Sequence, residues 1–171
     1  PFIATQALVA HGEAMRGVVI RGIDPALEAA VTDLARRMPR EIGSLKSGEW
    51  KVVLGGELAR QLGVRVGDKV TLVAPGGQVT PAGVVPRLKQ FTLSATFEAG
   101  HYEYDSGLAL VHLDDAARLF RLAGASGVQL RLADVHLLIT TPTLLGRDQH
   151  GYLLDVVPAL ADADRLPLFV P

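Results

Sequence analysis

The apolar residues of this chain come in short runs, each broken by Arg, Asp, Gly or Pro. No run approaches the roughly 20 residues that a membrane-crossing helix needs. Runs of this kind suit strands and short amphipathic helices. Residues 2–9 and the β-branched run at 17–21 read as two strands, with His11, Gly12 and Glu13 as a hairpin connection. Further strands are expected at 51–54, 68–74, 91–98, 107–112 and 127–132, and 137–140 could form another. Asp24 and Pro25 open a helix, since Asp accepts a backbone N–H at the N-cap and Pro loses nothing at the first helical position. Leu27, Val31, Leu34 and Met38 continue that helix at helical spacing until Pro39. A second helix spans 57–62 and is closed by Gly63. Asp114 or Asp115 caps a third that runs through Phe120, and 160–166 could supply one more helical turn.

A chain of 171 residues suits one domain or two small subdomains. It can bury roughly 70% of its unfolded surface and needs no staple. Hydrophobic residues make up 49% and aromatic ones only 5%, so the core is aliphatic. The net charge of -1 argues against general nucleic-acid binding, which needs a basic footprint. The absence of cysteine excludes thiol catalysis, cysteine-based zinc sites and disulfides. Pro1 stands without a Met inside an expected strand, and we expect the chain to be a piece of a longer protein.

Motifs for chemistry are scarce. There is no phosphate loop, dinucleotide fingerprint or nucleophile elbow. If ATP is used, another chain or segment binds it. Glu98, His101, Glu103 and Asp105 lie within eight residues and could bind a metal or do acid–base work. A solvated loop whose Tyr102 and Tyr104 pack on the domain edge is the better reading, since local acidic clusters are common on surfaces. His11, His112, His136 and His150 are scattered, and His112 is expected to bond locally. Arg36, Arg37 and Arg40 fit a solvated helix face better than an anionic partner. We assign no catalytic residue, metal ligand or cofactor.

Residues 75–86 are the unusual stretch. They hold three prolines and three glycines and no charge. A structureless loop of about a dozen residues is uncommon in a compact domain and often functional. Prolines reduce the freedom lost on docking and remove strand-pairing donors. Projecting arm and tolerated insertion are both open on these grounds.

A family resemblance emerges from several phrases in order: residues 53–59, 62–64 and 66–70, Thr80-Pro81-Ala82-Gly83 before Phe91, 97–100 with 102–105, and 113–116. Together they resemble the periplasmic domain of LolC/LolE-type lipoprotein-releasing ABC transporter permeases. The likeness covers roughly residues 1–135. It implies an α+β, MacB-like periplasmic domain on the periplasmic face of a bacterial inner membrane. Residues 1–22 and 127–171 would form a porter-like α/β part, and 23–126 an inserted β-rich subdomain with a projecting loop at 75–90. It implies a non-enzymatic role: releasing lipoproteins and passing them to a LolA-type chaperone. Further partners would be a cytoplasmic ATPase subunit, a second permease copy or paralogue, and the lipoprotein itself.

In LolC-type members a projecting hook engages the chaperone. By resemblance its counterpart is Gln78, Val79, Thr80, Pro81, Ala82, Gly83, Val84, Val85 and Pro86, with Lys89 matching one basic position of an adjoining pad. Leu88 and Thr71 depart from that pad, where polar or basic groups stand in the family. The alternative is a MacB/FtsX-type permease contacting an adaptor or hydrolase activator. Beyond Asp134 the family pattern calls for a helix and a strand, and 156–171 fit neither.

Overall fold

The structure is a computed structural model describing residues 1–80, 83–131 and 136–140. Its strands form one sheet in the order β2-β6-β3-β5-β4-β1-β7-β8, and β1 also pairs with β2. That extra pairing closes six strands into a ring. The ring consists of β1 (Phe2–His11), β2 (Ala14–Ile23), β6 (Leu108–His112), β3 (Lys51–Gly55), β5 (Gly83–Phe97) and β4 (Lys69–Thr80). Within it β2–β6 and β3–β5 run parallel, and the other pairs are antiparallel. Closure removes the open edges that a six-stranded sheet would expose. The fold is mixed, with helices and strands interleaved along the chain. None of the described helices is long and apolar enough to cross a membrane.

Period-two burial explains the ring. Ile3, Ala7 and Val9 of β1 point inward with Val18 and Ile20 of β2, Val70 and Leu72 of β4, and Phe91 and Leu93 of β5. The centre is aliphatic, as the composition requires. Strands β3 and β6 lack alternation because both their faces are covered. Val52 and Leu54 face the interior, whereas Val53 packs outward with Leu110 of β6 into a second cluster. Ala35, Ile42 and Leu45 of the neighbouring helical segment cover that cluster.

That segment differs from the single helix expected over 24–38. It is three short helices: α1 (Pro25–Val31), α2 (Asp33–Arg37) and α3 (Pro39–Gly43). Thr32 breaks the run by adopting an extended conformation (φ -119°, ψ 141°), and its Oγ1 accepts from the Ala35 N–H at 3.3 Å. A local side-chain cap thus competes with helix continuation. Asp24 caps α1 as expected, accepting from Ala26 N at 3.0 Å. Glu28 on α1 is buried beside Arg21 at 3.4 Å. Burial raises its carboxyl pKa above the ordinary value, and the Arg21 charge pulls partly against that shift.

Helix α4 (Gly56–Leu62) ends at Gly63, whose φ of 65° is the left-handed stop that the sequence suggested. Two further expectations need correcting. The 99–106 region is not all loop, because α5 (Tyr102–Gly107) lies in it. Neither Asp114 nor Asp115 is the N-cap of α6 (Leu113–Phe120). That role falls to His112, whose Nδ1 accepts from Asp114 N at 3.2 Å. Asp115 is fully buried and reaches a different segment, accepting from Gly48 N at 2.8 Å and Trp50 N at 3.2 Å.

The hairpin of β7 (Gly127–Arg131) and β8 (His136–Thr140) joins β1 through the single backbone pair Phe2–Gly127. Ser126 N donates to Phe2 O at 2.8 Å, Arg21 bonds Gln129, and Arg131 meets Asp33 at 3.3 Å. Strands β1 and β2 pair in turn with β4 and β6 of the intervening segment. The helical turn expected at 160–166 lies outside the described residues.

Candidate partner-binding arm

Strands β4 and β5 outrun the ring. β1 pairs with β4 only over Thr71–Val73, and β3 pairs with β5 only from Thr92 onward. Past Ala74 and Arg87 the two strands pair, among the described residues, only with each other, through Gly77–Pro86, Gln78–Val85, Val79–Val84 and Thr80–Gly83. The stretch expected to be a structureless loop is thus a two-stranded ribbon. Pro75 and Gly76 cause the difference: the register shifts between Ala74 and Gly77, with Gly76 at φ 77°. A bulge absorbs the residues that break the ladder and lets pairing resume beyond them. Four paired residues on each strand past the bulge extend the ribbon by roughly 13 Å at strand rise. Pro81 and Ala82, at its tip, lie outside the described residues.

The sequence-assigned positions fall in two places. Gln78, Val79, Thr80, Gly83, Val84, Val85 and Pro86 occupy the outer rungs of the ribbon. Val85 is 53% exposed, an apolar side chain with no core to enter. Lys89 lies apart from them, on the rung where the ribbon meets the ring, opposite Leu72. Its Nζ stands 4.4 Å from the centroid of the Trp50 ring.

Sequence reasoning missed an apolar row at the ribbon's root. Gly17 faces Leu8, Leu8 faces Val73, and Val73 faces Leu88, across four strands. Directly opposed residues share a sheet face, and this row is on the outside. Leu8 is 40% exposed and Leu88 is 60% exposed. An open depression of about 600 Å³ lies along the row, reaching Val19 and Pro75. One signal was available in the run Ala7-Leu8-Val9: three consecutive apolar residues in a strand with one buried face put one of them outside.

The Glu98–Asp105 cluster has a structural explanation. Asp105 accepts from Ala99 N at 2.6 Å and from Gly100 N at 3.2 Å, so its carboxylate closes the loop entering α5. Tyr102 and Tyr104 are exposed rather than packed on the edge. Among the described residues, no group of three or more His, Asp or Glu is placed to hold a metal ion. A cavity of about 480 Å³ between α2, α3 and α5 mixes apolar walls with Arg21, Glu28 and His101. Its one buried carboxylate, Glu28, is already paired with Arg21.

No protein-family model matches the chain. The lipoprotein-releasing system transmembrane protein LolC of Neisseria meningitidis is 46% identical over 136 residues, covering 78% of this chain and 33% of the relative. The LolC protein of Xylella fastidiosa strain Temecula1 is 43% identical, covering 79% and 33%. The chain belongs with the LolC/LolE proteins, as a homologue of a segment of them. It spans about one third the length of the curated relatives it matches. Both sides of the LolC/LolE family can be compared in one organism, Haemophilus influenzae. Its LolC is 39% identical over 97 residues and its LolE 30% over 73.

Proposed function

We propose that this chain is the periplasmic domain of a lipoprotein-releasing ABC transporter permease, and that its ribbon binds a LolA-type chaperone. The parent protein lies in the inner membrane with this domain on the periplasmic face, in the MacB-like arrangement. There it works with a cytoplasmic ATPase subunit and a second permease copy or paralogue, and releases lipoproteins to the chaperone. In that arrangement residues 1–22 and 127–171 belong to the porter-like part and 23–126 to the inserted subdomain. The domain itself binds and couples, and bond-making chemistry is left to the ATPase.

One observation carries this reading: among the described residues, the ribbon leaves the ring with no other strand beside it and exposes the apolar side chain of Val85. A two-stranded ribbon is marginal by itself, and exposed apolar surface costs solubility unless a partner uses it. Gln78, Val79, Thr80, Pro81, Ala82, Gly83, Val84, Val85 and Pro86 form the hook, and its preformed pairing lowers the ordering cost of docking. Lys89 at its root supplies the basic position of the adjoining pad, while Leu8 and Leu88 line the opposite, outer face of the sheet. The higher identity to LolC than to LolE within one organism supports the LolC role.

The test is calorimetry of this chain with the cognate LolA-type chaperone, beside a Pro81→Gly, Val84→Ser, Val85→Ser variant. The variant should fold and bind at least tenfold more weakly, as losing apolar anchors from an interface centre predicts. Equal binding by both would move the interface off the ribbon. No binding by the intact chain would sink the chaperone reading. It would favour a substrate contact of the LolE kind or a MacB/FtsX-type permease.

A further inference from the structure

Trp50 is the chain's single tryptophan, and it sits at a φ of 52°, a left-handed conformation that bulky L-residues rarely adopt. Its backbone is clamped on both sides. The Trp50 N–H donates to Asp115 Oδ2 at 3.2 Å, and its carbonyl accepts from Thr92 N at 2.9 Å. Asp115 is buried and also takes the Gly48 N–H, so the clamp is fixed by α6 rather than by the loop itself. The indole meets Phe91 edge to face, with centroids 5.4 Å apart and planes at 85°. Phe91 is buried in the ring interior, which pins the indole from that side. Lys89 Nζ lies 4.4 Å from the ring centroid.

An unusual backbone conformation thus places a rigid aromatic face under the one cation at the root of the ribbon that was assigned to the pad. A free lysine ammonium swings on a flexible four-carbon stem. A cation over an indole face is held there by the ring quadrupole. We infer that Trp50 is a positioning residue for docking: it holds the Lys89 ammonium in place for a carboxylate-bearing rim of the partner protein. Asp115 acts one step further back, by holding Trp50. The inference rests on the chaperone reading above. It adds a residue which that reading does not require and which touches no partner itself.

A double-mutant cycle tests it, with calorimetric binding of the LolA-type chaperone as readout and Trp50→Leu, Lys89→Met and their combination as variants. Trp50→Leu should weaken binding about two- to fivefold, the range expected for a partly exposed cation–π contact. That loss should vanish in the Lys89→Met background. Trp50→Tyr, which keeps an aromatic face, should recover most of the affinity and guards against a Trp50→Leu protein that fails to fold. In the unbound chain, Lys89→Met should shift the emission of the single tryptophan. Additive losses, or a Trp50→Tyr variant no better than Trp50→Leu, would overturn the positioning role and leave the chaperone reading intact. If the intact chain does not bind the chaperone, both fall together.

Discussion

The ring and the ribbon are built from the same two strands, yet opposite rules govern them. Inside the ring, β4 contributes Val70 and Leu72, each almost wholly buried, and Leu72 is paired on both sides, with Val9 of β1 and Lys89 of β5. Past the bulge, the same chain direction continues with one neighbour and no interior. Stability is thus concentrated where side chains alternate between a dry centre and another surface. The ribbon contributes little to that balance, so its sequence is free to answer to something outside the domain. Variants of the two regions should therefore separate: ring variants move the melting temperature, and ribbon variants move binding.

The largest effect is expected at Gly55, where β3 enters α4. A Cβ built there would lie 2.2 Å from the Asp105 carbonyl oxygen and 2.6 Å from its carbon. These are backbone atoms and cannot swing aside as a flexible side chain could. Gly55→Ala must push α5 off the end of β3, which overpacking precedents put at about 3 kcal/mol or more. For a domain of this size, that lowers Tm by roughly 6–12 °C. Thermal melting that stays within two degrees or so of the parent would refute this tight packing of α5 on β3.

Asp115 comes next, because it links the ring to the root of the ribbon. Asp115→Asn keeps one acceptor and turns the other into a donor facing an N–H. One of the Gly48 and Trp50 amides is then left unsatisfied, at about 1–3 kcal/mol. The Arg118 pair at 3.5 Å adds little, since Arg118 is exposed. Tryptophan emission should change together with stability. A loss of stability without any change in emission would mean that the clamp does not hold Trp50.

These two sites show where sequence reading reached and where it stopped. The strands of the ring were legible because alternation and β-branched runs report burial directly. The Gly63 stop was legible because only the local backbone decides it. The break at Thr32 was not, because Leu27, Val31, Leu34 and Met38 keep helical spacing across it, although Leu27 is 52% exposed. Asp115 read as a cap because its true partners are more than 60 residues away in the chain. The ribbon read as a loop because prolines and glycines forbid regular ladders, and sequence alone did not reveal a bulge that concentrates the irregularity at two residues. Trp50 carried no pattern at all. Its importance arises from a contact with Lys89 across 39 residues.

A smaller effect, tied to pH, is expected at Glu28 on the ring's flank. Burial raises its pKa in the folded chain above the ordinary 4.5, with Arg21 opposing. Between the unfolded and folded values the native state holds more protons, so its stability falls as pH rises. The contribution is fully present below the unfolded pKa and is lost as pH passes through the raised one. Glu28→Gln removes the titration, so denaturant midpoints of variant and parent should converge on acidification and shift in the variant's favour as pH rises. Parallel curves across that window would show that Arg21 fully compensates the burial.

The smallest stability effect belongs to the ribbon. The Pro81→Gly, Val84→Ser, Val85→Ser variant changes residues of the two-stranded extension, where Val85 is exposed. Surface changes of this kind lie within about 0.5 kcal/mol, so its denaturant midpoint should barely move. Combined with the binding loss expected above, that gives the two regions opposite signatures: Gly55→Ala costs stability and spares the ribbon, whereas the triple variant does the reverse. A triple variant that loses both stability and binding would break the division, because the ribbon would then belong to the folded core after all. A weakened affinity at unchanged stability would place the ribbon's sequence under the demands of a partner.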